Sequence, residues 1–409
     1  MTIYKSVRDL RNVEEHDRKI NILFFLDYLY GFGGTERHLF DLARRLNRNL
    51  FDTTICPFRF DSHIVQIFRE AGIKVEPAPL NRIYGISALK QASKIYHLIR
   101  ERNIDIVQTF NIDSDLYGTL LAKWCGVPVI VSSRRDLGVY RKRRHLVLSK
   151  FTHRYVSHFI AVCNAVARNL TEREQVAPER VTTIYNGFDL AELSSLDSEK
   201  VSRLVKRFNI SPSTFVVGNV SHFRPEKGYG VFFDAIRKVR PYITDLRVLA
   251  VGGGPKWLNY YRTMVREAGL DDVVFFTGYV AEVLEYISLM DVCCLTPVSN
   301  EGFSNAILEQ MALGKAVIAT DVGGSGEAIC HGESGLIIPA NDAEALVKAI
   351  ITLHKLPDLR QRLGANARAR VEKEFNIGAS IAQMERFYYD IFLKHTNGKV
   401  KVKNSGVHP

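Results

Sequence analysis

Short apolar runs alternate, from residue 20 almost to the end of the chain, with stretches in which apolar residues return every three or four positions. The first pattern fits strands buried on both faces, and the second fits helices with one buried stripe. In the first half it predicts strands at 20–26, 53–58, 73–77, 104–109, 128–132, 158–162 and 181–185. Helices at 35–48, 62–71, 87–102 and 114–125 fall between them. A second series of strands follows at 214–220, 246–251, 272–277, 291–296, 315–320 and 335–339, again with helices between. Alternation of this kind predicts α/β architecture, with parallel sheets covered on both faces. Asp27 interrupts the first apolar run and sets the end of the first expected strand at Leu26.

At 409 residues the chain exceeds one ordinary core, so two domains are expected. The polar stretch 190–213 marks the join. The division is then a polar extension (1–18), a first Rossmann-like domain (19–190), a linker (191–213) and a second Rossmann-like domain (214–376). A helix at 377–395 follows the second sheet and is expected to pack back on the first domain, before a tail at 396–409. Two such domains facing one another form a cleft, and ligand sites favour domain interfaces.

Composition narrows the class. The chain is 46% hydrophobic and 24% charged, with no apolar run long enough to cross a membrane. The first 18 residues do not suit a secretory signal. Six scattered cysteines without a CxxC pair point to reduced, buried thiols and a cytoplasmic protein, without zinc or disulfides. The net charge of +11 is concentrated at 134–154, through Arg134, Arg135, the run Arg141-Lys-Arg-Arg144, Lys150 and Arg154. Leu146, Val147 and Leu148 are interleaved with these cations. That mixture fits a helix lying on an anionic membrane, on the inner face of the cell membrane, better than a nucleic-acid tract. No nucleic-acid-binding motif is present.

The strongest chemical signal is Asn300-Glu301-Gly302-Phe303-Ser304-Asn305-Ala306-Ile307-Leu308-Glu309. Ser304 or Asn305 is positioned to cap a helix that begins there. The N–H groups of its first turn, with the helix dipole, make a seat for a phosphate. Glu301 precedes the cap, and Glu309 lies roughly 7 Å further along. Two carboxylates around a phosphate seat suit a nucleotide-sugar. The motif follows the apolar run Asp291-Val-Cys-Cys-Leu-Thr296, at a strand end where open α/β sheets bind ligands.

Other segments add to this. Gly31-Phe-Gly33-Gly34-Thr35-Glu36 follows the first strand and lets backbone N–H groups approach a phosphate. It is not GxGxxG, so nothing favours a dinucleotide. His222-Phe223-Arg224-Pro225-Glu226-Lys227-Gly228 places Arg224 and Lys227 at a strand end, where they suit a diphosphate. Val251-Gly-Gly-Gly254-Pro255 reads as a structural turn. Asp113-Ser114-Asp115 is a DxD at a helix start, better explained by capping than by a metal. His97, His145, His153, His158 and His331 lack partners at ligand spacing and read as surface or packing residues.

Taken in order, these segments resemble the family-4 retaining glycosyltransferases of GT-B fold over about residues 20–395. Further landmarks are Ala161-Val-Cys-Asn164, Ile184-Tyr-Asn186-Gly187-Phe-Asp189, Phe276-Thr-Gly278-Tyr-Val280 and Val322-Gly-Gly324 through Glu327 to Pro339. The resemblance implies a nucleotide diphosphate-sugar donor, in UDP or GDP form, held mainly by the second domain without a metal or cofactor. Glu301 would contact sugar hydroxyls and Glu309 the ribose. The amides from Gly302 through Phe303, Ser304 and Asn305 would meet the diphosphate. Lys227 would balance leaving-group charge, Gly33 and Gly34 would cover the phosphates, and Tyr279 and Val280 would bracket the base.

Two positions depart from the family. Where relatives carry an arginine, this chain has His222, and Arg224 is expected to supply the charge. Where many relatives carry a histidine after the fifth strand, this chain has Ser132-Ser133-Arg134-Arg135-Asp136, so Asp136 or Arg134 is a candidate to orient the acceptor or the sugar. The expected reaction is sugar transfer to an acceptor hydroxyl with retained configuration. The acceptor would be a lipid-linked or cell-envelope glycan, with a soluble acceptor as the alternative. A nucleotide-sugar epimerase on a similar scaffold and a non-catalytic glycan- or membrane-binding relative are the rival readings.

Overall fold

Seven parallel strands form the first sheet of the computed structural model. They are β1 (Ile20–Leu29), β2 (Phe51–Phe60), β3 (Lys74–Val75), β4 (Ile106–Thr109), β5 (Val129–Arg134), β6 (His158–Ala161) and β7 (Val181–Thr183). Their spatial order is β3-β2-β1-β4-β5-β6-β7. Six parallel strands form the second sheet: β8 (Phe215–Val220), β9 (Leu246–Val251), β10 (Val274–Gly278), β11 (Val292–Leu295), β12 (Ala316–Thr320) and β13 (Leu336–Ile338). These run in the order β10-β9-β8-β11-β12-β13. Every expected strand overlaps an observed one. Residues 18–139 and 143–396 are described. The expected N-terminal extension up to residue 17, the tail from 397, and Arg141 and Lys142 of the basic run lie outside the described residues, as do the side chains of Arg143, Arg144, His145 and Leu146.

Each sheet reverses its winding once, between β1 and β4 and between β8 and β11. Crevices form at the carboxyl ends of strands at such switch points. The central strands β4, β5, β8, β11 and β12 are buried along their whole length, as continuous apolar runs require when helices cover both faces.

Asp27 does not end β1, which runs on to Leu29. Its buried carboxylate is tolerated because it accepts the N–H groups of Asp113 (2.8 Å) and Ser114 (2.6 Å). Those bonds cap the turn that the sequence assigned to its own DxD carboxylates; Asp113 makes no capping bond. The expected helix 114–125 starts as a π-turn, Ser114–Gly118, before the α-helix Thr119–Trp124. The polar stretch 191–213 contains the helix Ser198–Arg207, whose first turn Asp197 caps. Leu204 and Phe208 anchor that segment in the core.

Aromatic rings and one carboxylate hold the two sheets together. Phe303 packs between Tyr185 (5.0 Å between ring centres) and Phe375 (5.2 Å). Glu327, in the second domain, accepts the N–H groups of Asn164 (2.8 Å) and Ala165 (2.7 Å) and the hydroxyl of Tyr185 (2.7 Å). It thereby caps a first-domain helix, Asn164–Glu172, with charge of the favourable sign.

The last helix, Ile377–Thr396, lays Ile381, Met384, Tyr388, Ile391 and Phe392 against Ile22, Phe24, Phe51 and Ile160 of the first domain. Tyr388 is fully buried, and its hydroxyl donates to Gln108 Oε1 at 2.6 Å. Tyr388→Phe should cost about 1 kcal/mol, the net worth of one buried hydrogen bond. Tyr388→Ala should cost about 3–5 kcal/mol by leaving a cavity. Chemical denaturation of both variants against the parent checks the pair, and equal losses would refute the assignment.

Candidate functional site

A cleft of about 720 Å³ lies between the carboxyl edges of the two sheets. Every residue assigned from the sequence lines it: Gly33 and Gly34 after β1, Asp136 after β5, His222, Arg224 and Lys227 after β8, Tyr279 and Val280 after β10, and Glu301 to Asn305 with Glu309 after β11. Most of them sit in the connections that leave the carboxyl ends of strands, and Glu309 sits within the helix Asn305–Ala312 that follows, so the sheets and that helix fix the spacing.

The centre of the second-domain wall is an ion pair. Lys227 Nζ lies 2.6 Å from Glu301 Oε2, and Glu301 is buried. The loop carrying Lys227 is pinned by Gly228, whose φ of +68° favours glycine. A Cβ there would come within 1.8 Å of the Thr296 carbonyl.

The helix beginning at Asn305 is not capped in the expected way. Ser304 occupies the cap position, yet its hydroxyl makes no cap bond. Asn305 turns its side chain elsewhere, accepting from Asn186 Nδ2 (2.6 Å) and donating to the Gly34 carbonyl (3.4 Å). The first turn therefore keeps its N–H groups free of any side chain, and Ser304, Asn305 and Ala306 line the cleft. This arrangement binds anions better than a capped helix would.

Burial pushes the Glu309 carboxyl up to about 7, with Arg37 opposing the shift and Glu192 adding to it. Asp27 is driven up to about 7 for the same first reason. Burial, then Arg224 and Lys227, hold His222 below the usual imidazole range, so it stands neutral in the loop. The Arg224 side chain is 62% exposed, and its nearest carboxylate is Glu226 at 3.9 Å.

The first-domain candidates separate. Asp136 is exposed and accepts the Gly138 N–H at 2.8 Å. Arg134 is buried and held by Asp115, Glu174 (3.3 Å) and His153 (3.2 Å), which takes its side chain out of reach of an acceptor. Asp113 pairs instead with Arg59 at 2.8 Å. The two DxD carboxylates thus serve different arginines. Among the described residues no group of three or more His, Cys, Asp or Glu is arranged to hold a metal. The thiols are free, and all but Cys330 are buried.

Three participants were missed. Asn186 links Asn305 to Arg135, which the sequence reading quoted without giving it a role. Glu36 folds back over the glycine loop, its Oε2 lying 2.6 Å from where a Cβ on Gly33 would stand. Arg135 was the most findable, because it is the first residue past the end of β5.

Residues 32–192 match the family described as Glycosyltransferase Family 4, and residues 202–370 match Glycosyl transferases group 1. N-acetyl-alpha-D-glucosaminyl L-malate synthase of Bacillus anthracis is 30% identical over 242 residues, 58% of this chain. The match spans 62% of that relative, less than two thirds of its length. The capsular polysaccharide biosynthesis glycosyltransferase CapM of Staphylococcus aureus is 24% identical over 76% of this chain and 83% of its own. Among solved structures, Anabaena HepE in complex with UDP and glucose superposes with a TM-score of 0.81 at 22% identity, covering 91% of this chain and all of that one. That likeness establishes the GT-B fold.

The raised Glu309 carboxyl has a consequence for stability. The folded chain keeps this proton to about pH 7, against 4.5 for the free group, so unfolding releases it between those values. Stability should therefore fall as pH rises through that window and level off above it. Glu309→Gln removes the penalty and should raise stability by about 3 kcal/mol at pH 8 relative to its effect at pH 4.5. Denaturation at the two pH values checks this; equal effects at both would refute it.

Proposed function

The chain belongs to the family-4 glycosyltransferases of GT-B fold, and from that premise we propose that it transfers a sugar from a nucleoside diphosphate-sugar to an acceptor hydroxyl with retained anomeric configuration. One observation carries the reading: the Glu301–Lys227 pair stands beside an uncapped helix start, across the cleft from a glycine loop. That geometry offers a carboxylate to sugar hydroxyls, a cation and free N–H groups to a diphosphate, and Glu309 to a ribose. The UDP and glucose of HepE and the capsular role of CapM are consistent with such a donor and with a cell-envelope acceptor.

In the transfer, the bond from the anomeric carbon to the phosphate oxygen breaks and its electron pair leaves with the diphosphate. The acceptor oxygen bonds to the same face of that carbon. Its proton passes to an oxygen of the departing phosphate, so no protein base is needed. Charge on the leaving group is the main requirement, met by Lys227, Arg224 and the helix N–H groups. Asp136, exposed and lining the cleft, is the side chain we assign to the acceptor. We assign no metal, because Asp113 and Asp115 are committed to Arg59 and Arg134.

The first domain presents an apolar band suited to a membrane. Val147 and Trp124 are each 68% exposed, and Leu120, Leu148 and Phe151 are exposed as well. Trp124 packs on Tyr96, Lys123 lies over Tyr155, and Arg154 lies over Phe151. Aromatic and aliphatic residues ringed by cations bind anionic lipid surfaces. The acceptor is accordingly proposed to be lipid-linked.

Screening UDP, GDP and ADP for thermal stabilisation tests the donor, since a ligand of the folded state raises its stability as ln(1 + [L]/Kd). With the donor known, Lys227→Ala should lower kcat about a hundredfold or more with little change in KM. An unchanged kcat would remove Lys227 from the mechanism. In vesicle pelleting, the chain should bind phosphatidylserine vesicles and not phosphatidylcholine ones, and Val147→Glu/Phe151→Glu should abolish pelleting. Equal, negligible binding to both would exclude the membrane.

A further inference from the structure

We propose that Arg135 is a ligand of the donor diphosphate supplied by the first domain, so that the leaving group receives this cation only when the two domains are closed on it. The proposal rests on the nucleotide-sugar reading above and names a residue for which neither the sequence motifs nor the family resemblance provides a role.

The argument is a charge inventory of the cleft. Five Arg and Lys residues line it among the described residues. Arg37 is paired with Glu192 and Asp41, Arg134 with Asp115 and Glu174, Lys227 with Glu301, and Arg224 with Glu226 at 3.9 Å. Arg135 alone of these has no carboxylate within 4 Å among the described residues. Among the described residues its side chain bonds a neutral group, Nη2 donating to Asn186 Oδ1 at 2.6 Å. Burial pushes its pKa down to about 10, with Glu36 the only carboxylate opposing that shift. A half-buried cation without a counterion carries a cost that an anionic ligand would relieve.

Its position specifies which anion. The Arg135 carbonyl lies 2.0 Å from where a Cβ on Gly302 would stand, so the residue abuts the Glu301–Asn305 loop. Through Asn186 the guanidinium is tied to Asn305 and to the Phe303 carbonyl, and Asn305 is tied to Gly34. Arg135 therefore stands where the glycine loop and the uncapped helix start converge, the two features that suit a phosphate. The second domain's own cations are only partly available there. His222 is neutral, Lys227 is compensated by Glu301, and Arg224 is mostly exposed. A guanidinium from the first domain completes the neutralisation, and its fork geometry suits two phosphate oxygens.

The test compares each nucleoside diphosphate (UDP, GDP, ADP) with its parent nucleoside, by thermal stabilisation at millimolar ligand, on the full chain. Arg135→Gln should weaken the diphosphate that binds by on the order of ten- to a hundredfold and leave the nucleoside within about twofold. Arg135→Lys should recover part of the loss. Arg224→Ala should cost less than Arg135→Gln; the reverse order assigns the charge to Arg224 and overturns the proposal. Equal loss for nucleoside and diphosphate reveals a scaffold role and overturns it as well. In X-ray scattering, the diphosphate should compact the parent chain and not Arg135→Gln; equal compaction removes the coupling to closure. If the parent chain binds no diphosphate at all, the nucleotide-sugar reading itself falls, an outcome distinct from loss confined to the variant.

Discussion

The cleft depends on how closely two backbones approach at Gly302. The Arg135 carbonyl of the first domain occupies space that any side chain at 302 would need, while the Gly302 carbonyl accepts the Gly324 N–H at 2.7 Å and faces the Cys163 thiol at 3.6 Å. A larger residue would have to push the sheets apart. Because that contact is tight, the loop from Glu301 to Asn305 is positioned from both sides. Phe303 is then clamped between Tyr185 and Phe375, which leaves the loop little freedom to shift along the cleft. The site is pre-organised by packing, and the N–H groups of its helix start carry no side-chain cap that a ligand would have to displace.

The electrostatics follow from that tightness. Carboxylates withdrawn from water resist ionisation, and burial pushes both Glu309 and Asp27 up to about 7. A ribose that donates two hydroxyl hydrogens to Glu309 would favour its charged form, so the cost of burying the group is offset when ligand is present. Perturbed groups of this kind gather at functional sites because the same burial that strains the free protein strengthens interactions with a ligand.

Much of this was legible in the chain. Periodicity located all thirteen strands, because buried parallel strands read as unbroken apolar runs with little competing signal. The motif residues converge because their segments begin at the carboxyl ends of strands, a relation visible in sequence. What escaped were relations set only by tertiary contact. Ser304 reads as a cap by residue type, but its hydroxyl makes no cap bond, and Asn305 binds Asn186 across the domain interface. The DxD reads as self-capping, but Asp27, 86 positions earlier, fills that role. Asp27 itself reads as a strand breaker, and only those two N–H groups make it compatible with β1. Long-range hydrogen bonds of this kind leave no local trace.

One buried cluster links the cleft to the outer surface. Arg134, the last residue of β5, is held by Asp115 and Glu174 and touches His153, the last residue of the helix Arg143–His153. That helix carries Val147, Leu148 and Phe151 on the surface, while the residue after Arg134 is Arg135, which has no carboxylate within 4 Å among the described residues. Removing one partner of a buried ion cluster is far more costly than replacing the set, so the connection is stiff. The apolar band and the inner cation are thereby fixed to the same strand end. A lipid surface meeting that helix would hold the first domain, Arg135 included, in a set orientation, and the second domain would then be the part that moves to bring the donor to it. On the proposed function, such a division would make closure, and with it neutralisation of the leaving group, an event at the surface where a lipid-linked acceptor would reside.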